Sequence, residues 1–417
     1  MESRDIENSI ENKNTKKKLE RFNKVFPWYA GLSMDLLFWV AIDTLFLTVV
    51  KGLTTSQIVS LTSISVTTCI LLQYFILKII KKMGNTKSVR IGSALLLLSS
   101  IILTLGKSFI LIALGRIIFE VAVSFNNMAG AILKNNLEMQ SKGDDFIKLA
   151  SKANVIYAVV TMIISFVAGY IFNINNYLPM FLCIAFCLLC FILSFEMKDY
   201  SDNNKIKNEV QKEKYKIKFN KIIIIVVISY ALFYPVVGLG QSNGKLLIQQ
   251  ELLNNIDVER TAIILGGIVC LSRIVRTVSN IVFGKIYKKY KNKVGIILST
   301  ALAIALTLMI TGGSISSSLI LKFTMLNLGY ITIVFIRDPF RVYTQDVALK
   351  NISKEERQTL LTILELGRKI IRAILSLGFS LVLVNSPMIV VILILLILSI
   401  IEIFISAKVY KKIKSST

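Results

Sequence analysis

Twelve stretches of this chain are each apolar over a length that can cross about 30 Å of hydrocarbon. They fall at residues 26–50, 55–77, 91–106, 108–133, 153–173, 177–197, 221–243, 261–284, 294–311, 318–342, 359–384 and 386–407. In lipid every backbone amide must find its partner within the protein, so each stretch reads as a helix. The expected fold class is therefore an all-α membrane protein with twelve transmembrane helices. Composition agrees: the chain is 54% hydrophobic, yet 49 Lys and Arg face 25 Asp and Glu, for a net charge of +24. Those charges are split into short clusters between apolar spans, which suits loops beside a membrane and not a nucleic-acid surface.

Alternate loops carry the basic residues, and this sets the expected orientation. The stretches 1–25, 78–90, 134–152, 198–221, 285–293, 341–357 and 408–417 each hold between four and eight Lys or Arg. The opposite side offers Lys51, Lys107, Lys245 and Arg260. The asymmetry predicts both termini and the central loop in the cytoplasm. The first 25 residues are polar, with no apolar core before a small-residue cleavage site, and read as a cytoplasmic tail. Abundant Lys, Ile and Asn suggest a bacterial genome rich in A and T, hence a bacterial cell membrane.

The segment Lys78–Lys82, Lys-Ile-Ile-Lys-Lys, returns as Lys-Ile-Tyr-Lys-Lys at Lys285–Lys289, 207 positions later. A basic loop recurring at half the chain length marks two similar halves. The start of the stretch before span five, Ser141 and Lys142, echoes Ser353 and Lys354 before span eleven. The expected domains are a tail at 1–25, six-helix bundles at 26–197 and 221–407, a linker at 198–220 and a tail at 408–417.

Two six-span halves with a long basic centre, and basic loops after spans two and eight, resemble the major facilitator superfamily. Its loop between spans two and three follows Gly-x-x-x-Asp-Arg-x-Gly-Arg-Arg. Here Lys82, Gly84 and Lys87 fit that pattern, while Leu77 and Lys81 replace the leading glycine and the acid. In the second half Gly284, Lys289 and Lys293 fit, and Lys288 takes the acidic place. Glu356 and Arg357 resemble the family's usual lead-in to span eleven. The resemblance implies the major facilitator fold and a role for this loop in switching between outward and inward states. Lys81, Lys82, Gly84, Gly284, Lys288 and Lys289 are the gating candidates it implies. With both acidic positions basic, the family's charge relay at this loop is in question.

Ionisable residues at membrane depth are costly and mark candidate sites. Span one holds Asp35 and Asp43, with Trp39 one turn beyond Asp35; span four holds Arg116 and Glu120 at i,i+4. The second half is mostly basic: Arg273 and Arg276 in span eight, Lys322, Arg337 and Asp338 in span ten, and Glu365, Arg368, Lys369 and Arg372 in span eleven. The last set falls on one helix face. One reading makes these charges salt bridges that hold or gate the bundle. The other makes Arg273, Arg276, Arg337, Arg368 and Arg372 a pocket for an anionic group, since guanidinium binds oxyanions bidentately and stays charged. Proton coupling would run through Asp35, Asp43, Glu120 or Glu365, because the chain has no His. On the family's usual cavity-lining spans, Trp39, Asn126, Asn127, Tyr230, Tyr234, Gln241, Asn327 and Tyr330 are further candidates; packing is the plainer reading for the aromatics and amides.

Five cysteines lie in spans, three of them, Cys183, Cys187 and Cys190, in one helical stripe. Without His or acidic neighbours they read as packing, not as a metal site. No nucleotide loop or nucleophile elbow appears, so neither an enzyme nor a cofactor is expected. Three functions compete. The first is a secondary active transporter of a small anionic or zwitterionic solute by alternating access, with or without proton coupling. The second is a flippase-like carrier of an amphiphile with an anionic head group. The third is a membrane scaffold or sensor that kept the fold and lost the cycle. The expected partners are a small-molecule solute and membrane lipids, around a monomer.

Overall fold

The computed structural model describes residues 2–142, 145–201, 221–315, 318–352 and 357–414, and these are helical with no strand among them. The helices are α1 (Glu2–Leu32), α2 (Leu37–Leu45), α3 (Thr55–Met83), α4 (Asn85–Leu105), α5 (Phe109–Asn126), α6 (Met128–Met139) and α7 (Asp145–Ile174). They continue as α8 (Leu178–Ser194), α9 (Lys221–Asn255), α10 (Val258–Tyr290), α11 (Val294–Ser314), α12 (Leu319–Lys350), α13 (Arg357–Asn385) and α14 (Met388–Lys414). Most of the expected linker (202–220) and the second echo (353–356) lie outside the described residues.

Nine stretches of the described residues are long and apolar enough to cross a membrane. One of them, Val258–Ser314, contains both α10 and α11, joined by the short turn Lys291–Lys293. α8 is apolar but only 17 residues long. α13 is the remaining helix, amphipathic because Glu365, Arg368, Lys369 and Arg372 share one side of it. The twelve expected stretches all fall on helices, 26–50 across α1 and α2 and 108–133 across α5 and α6.

The first pass differs from expectation at its start. A helix already runs through the residues read as a tail, and Leu19, Phe22, Phe26 and Tyr29 are all buried. Their 3-4-3 spacing makes one apolar stripe, of which Phe22, Phe26 and Tyr29 pack on Val89, Ile132, Leu133, Leu137 and Met197. The pass then breaks at Ser33–Leu36, where Asp35 accepts a hydrogen bond from the Leu36 amide at 2.9 Å, and it ends in the π-helical turn Phe46–Val50.

Two compact units emerge. The first comprises Met1–Ala41, Leu71–Ile164 and Tyr177–Lys212, and its core sets α4 against α5 and α8. The second comprises Ile42–Ile70, Ser165–Asn176 and Glu213–Thr417. Within it α9 packs on α12, α13 and α14, and α11 on α12 and α14. α7 meets α10 there at two glycines. A Cβ on Gly169 would lie 2.4 Å from the Ala262 carbonyl oxygen, and one on Gly266 2.7 Å from that of Ser165. Small residues let two backbones approach where no hydrophobic force distinguishes helix from lipid.

Each of the repeated basic loops contains a residue of positive φ. Gly84 caps α4 at φ 78°, and Lys291, at the same offset as the sequence repeat, ends α10 at φ 45°. Both conformations disfavour a Cβ. Lys291→Gly is expected to stabilise the protein by roughly 1 kcal/mol and Gly84→Ala to destabilise it by about 1–3 kcal/mol. Nothing lies within 4 Å of a Cβ built on Gly84, so backbone strain alone is at issue. Thermal denaturation of the detergent-solubilised protein reads both, and equal melting of all three proteins would contradict the expectation.

Candidate functional site

α9 is the spine of the second unit's polar interior. Tyr230 and Tyr234 stand one turn apart on it and stack, centroids 5.5 Å apart and planes 20° apart. Pro235 follows, a residue that cannot make the usual helical hydrogen bond and loosens the turn there. About two, three and four turns beyond Tyr234, Gln241, Lys245 and Gln249 continue at intervals of four as a polar line in an apolar helix.

Two arginines converge on Tyr234. Arg337, from α12, has its guanidinium 5.6 Å from the ring centroid, and Arg368, from α13, lies 4.9 Å away. Arg337 also donates through NH1 to the Gln241 amide oxygen at 3.0 Å. Arg368 pairs with Glu365, one turn earlier on α13, at 2.6 Å. Glu365 in turn accepts the Tyr230 hydroxyl at 2.7 Å. Arg341, a turn beyond Arg337, acts electrostatically on Tyr234 as well. One acid, paired with one of two guanidiniums, therefore stands beside a stacked tyrosine pair. The Nε–H groups of Arg337 and Arg368 are buried and, among the described residues, have no hydrogen-bond partner. A buried charged donor left unused is costly, so these two are the open valence of the cluster.

The neighbouring residue on α12 faces a different way. Asp338 is 6% exposed at its side chain and receives Arg276 of α10 bidentately, Nε at 2.5 Å and NH2 at 3.1 Å. Asn280, one turn from Arg276, adds a longer contact at 3.4 Å. The Nε–NH2 edge of Arg276 is thus occupied by Asp338. Arg273 and Arg372 are half-buried on α10 and α13.

The remaining expected residues have distinct surroundings. Asp43 forms an ion pair with Lys245 at 2.6 Å, and the Lys245 side chain is only 8% exposed. Next to it Gln249 donates to Thr48 at 2.6 Å, and Gln250 donates to Thr55 at 2.8 Å. Glu120 lies 4.0 Å from Arg116, whose guanidinium covers the ring of buried Trp39 at 5.8 Å and that of Phe119 at 4.9 Å. Asp35 is half-buried at the break in the first pass. Asn127 is exposed where α5 gives way to α6, while Asn126 is buried and accepts from the Tyr29 hydroxyl at 3.3 Å. Tyr330 is buried and Asn327 donates to the Phe323 carbonyl. Lys81, Lys82, Lys288 and Lys289 are exposed at the ends of α3 and α10, with Gly84 in the turn and Gly284 inside α10.

Two buried charges escaped the sequence reading. Lys245 was counted with the loops of the far side, although its four-residue spacing from Gln241 and Gln249 placed it on a helix. Glu402, in the last span, is fully buried. A lone acid in an otherwise apolar stretch was the available signal. The three striped cysteines are buried, and no group of residues that could hold a metal occurs among the described residues.

The family model described as Major Facilitator Superfamily matches residues 28–375. No curated protein sequence matches the chain. Among solved structures, the nucleoside transporter NupG is 13% identical, with 94% of this chain and 99% of that one covered and a TM-score of 0.73. A bacterial homologue of the iron transporter ferroportin, inward-facing, is 15% identical over 94% and 98% of the two chains, at 0.69. A bacterial homologue of the human lysosomal transporter Spinster, inward-facing and unoccupied, is 13% identical over 95% and 98%, at 0.68. Identities this low establish a common fold.

Proposed function

Since the chain belongs to the major facilitator superfamily, a family of multi-pass membrane proteins that carry small solutes as secondary transporters, we propose that its solute is a small anionic or zwitterionic molecule moved by alternating access. The anionic group is held by Arg337 and Arg368, with Gln241, Tyr230 and Tyr234 around it. The observation that carries this reading is the pair of buried, unpartnered Nε–H groups on two arginines beside one aromatic ring. An oxyanion would satisfy both donors, and a planar or apolar remainder would lie on the stacked tyrosines. Glu365 is the acid within reach of the same arginine, so its protonation would release Arg368 toward the solute. That gives a route for proton coupling that needs no histidine. Asp35, Asp43 and Glu120 remain the other proton candidates of this proposal. The expected orientation has both termini in the cytoplasm, with the basic ends of α3 and α10 on that face as the gating loops.

The test is a thermal-shift screen of the purified protein against phosphate, sulfate, mono- and dicarboxylates and neutral sugars, because ligands that bind the folded state raise its melting temperature. Anions should shift the wild type and sugars should not. Arg337→Gln and Arg368→Gln should each raise the concentration needed for the shift by roughly ten- to a hundred-fold, the equivalent of a lost charged hydrogen bond at about 1.5–3 kcal/mol. A wild type indifferent to every anion, or variants that respond like it, would remove the proposal.

A further inference from the structure

Glu402 lies near the middle of α14 and its side chain is wholly buried. It sits roughly 20 Å along a helix that rises 1.5 Å per residue, far from the basic residues that close α14. Three helices converge on it. Ser229 of α9 donates to its Oε1 at 2.5 Å, and Ser406, one turn on in α14, donates to the same oxygen at 3.0 Å. Ser406 is in turn 3.0 Å from Ser299 of α11. The second oxygen, Oε2, is buried without a hydrogen-bond partner. No Lys or Arg among the described residues of α9, α11, α13 or α14 comes within ion-pair reach of the carboxyl. The titratable group facing it is the Tyr343 phenol of α12, itself neutral in character and bonded to the Asn292 carbonyl.

An ionised carboxylate in this position would carry a full negative charge with one oxygen unsolvated and no cation nearby. That is among the most costly arrangements a protein interior can hold, whereas the neutral acid leaves only an uncharged O–H without an acceptor. The bonding is that of a carboxylic acid: Oε1 takes two hydroxyl donors as a carbonyl oxygen does, and Oε2 carries the proton. We propose that Glu402 is a reversible proton-binding site of this carrier, neutral in the packed state and giving its proton from Oε2 to water when the contacts of α9, α11 and α14 around it loosen. In that step the O–H bond at Oε2 breaks and an O–H bond forms on the water oxygen, and no other bond changes.

The position also explains why such a site would matter. Ser229 and Tyr230 are consecutive on α9, so a single turn of that helix carries the bond to Glu402 on one side and the Tyr230–Glu365 bond on another. Loosening of the Ser229 bond as Glu402 charges would bias the same turn that presents the stacked tyrosines. This link to the arginine cluster rests on the proposed function; the proton site itself does not. Glu402 also lies beyond the residues matched by the family model, 28–375, so family membership assigns it no role.

Infrared difference spectroscopy of the full chain in liposomes, stepped from mildly acidic to alkaline pH, tests the site without any solute. The wild type should lose a protonated-carboxyl C=O band as the pH rises. Glu402→Gln should lack that loss, and the Ser229→Ala, Ser406→Ala double variant should shift the band to higher frequency, because the carbonyl has lost both donors. The double variant assigns the band even if Glu402→Gln fails to fold. A band that disappears equally in Glu402→Gln, one unmoved in the serine variant, or a wild type whose buried acid never titrates would each overturn the proposal. The last outcome would make Glu402 a permanently neutral packing group.

Discussion

Replacing Asp43 by Asn is expected to destabilise the protein by about 3–5 kcal/mol, the range for breaking a buried ion pair from one side. The asymmetry of exposure makes this the sensitive direction. The Lys245 side chain is 8% exposed and Asp43 34%, so removing the acid strands an ammonium that water can barely reach. Removing the base leaves a carboxylate that is one-third open to solvent. Lys245→Met should therefore cost less than Asp43→Asn, and the double variant should recover most of the loss, because an apolar chain of similar length replaces a pair whose desolvation nearly cancels its attraction. Denaturant or thermal unfolding of the four proteins in one detergent measures this cycle. Additive single effects would mean that the pair contributes nothing of its own. The neighbouring bonds of Gln249 and Gln250 to Thr48 and Thr55 hold the same segment, so local rearrangement should not absorb the loss.

The second large effect belongs to Arg276. Its substitution by Gln is expected to cost about 3–5 kcal/mol of stability, because Asp338, 6% exposed, would keep a negative charge with only the long contact to Asn280 in compensation. Arg276→Lys should restore only part of this, since an ammonium is a point charge and cannot make the two parallel bonds of a guanidinium fork. Affinity for whichever anion stabilises the wild type should stay within about two-fold in Arg276→Lys, a change of under 0.5 kcal/mol. That separates Arg276 from Arg337 and Arg368, for which the order of effects is reversed: large on anion binding, small on folding. A variant at Arg276 that folds normally and no longer responds to anions would return it to the solute-binding set.

Arg276 also shows the limit of reading charges along a line. The spacing of Arg273, Arg276, Arg337, Arg368 and Arg372 suggested one positive surface, and by sequence each was an equal candidate. In the folded chain Arg337 and Asp338, consecutive on α12, diverge by about 100° around the helix. Arg337 turns to Tyr234 and Gln241, Asp338 to Arg276. The expected helical face of span eleven is real, but its first use is internal, Glu365 with Arg368 at 2.6 Å. Glu402 was overlooked for the opposite reason. Its stretch is so apolar that one acid hardly alters the average, and nothing local announces that a serine from α9 will meet it.

Sequence alone determined the class of this protein, its apolar passes, their basic connections and its family resemblance, because each of these is a sum over neighbouring residues. Hydropathy over about twenty positions decides whether a segment can leave water, and the loop motif is a contiguous string. Only the tertiary structure decided which charges are spent and which remain open. Lys245 with Asp43, Arg276 with Asp338 and Ser229 with Glu402 join residues 202, 62 and 173 positions apart. Such pairings depend on the rotation of each helix about its own axis and its depth against its neighbours. Packing fixes those two quantities to within a fraction of a turn, and an apolar average along the chain carries neither.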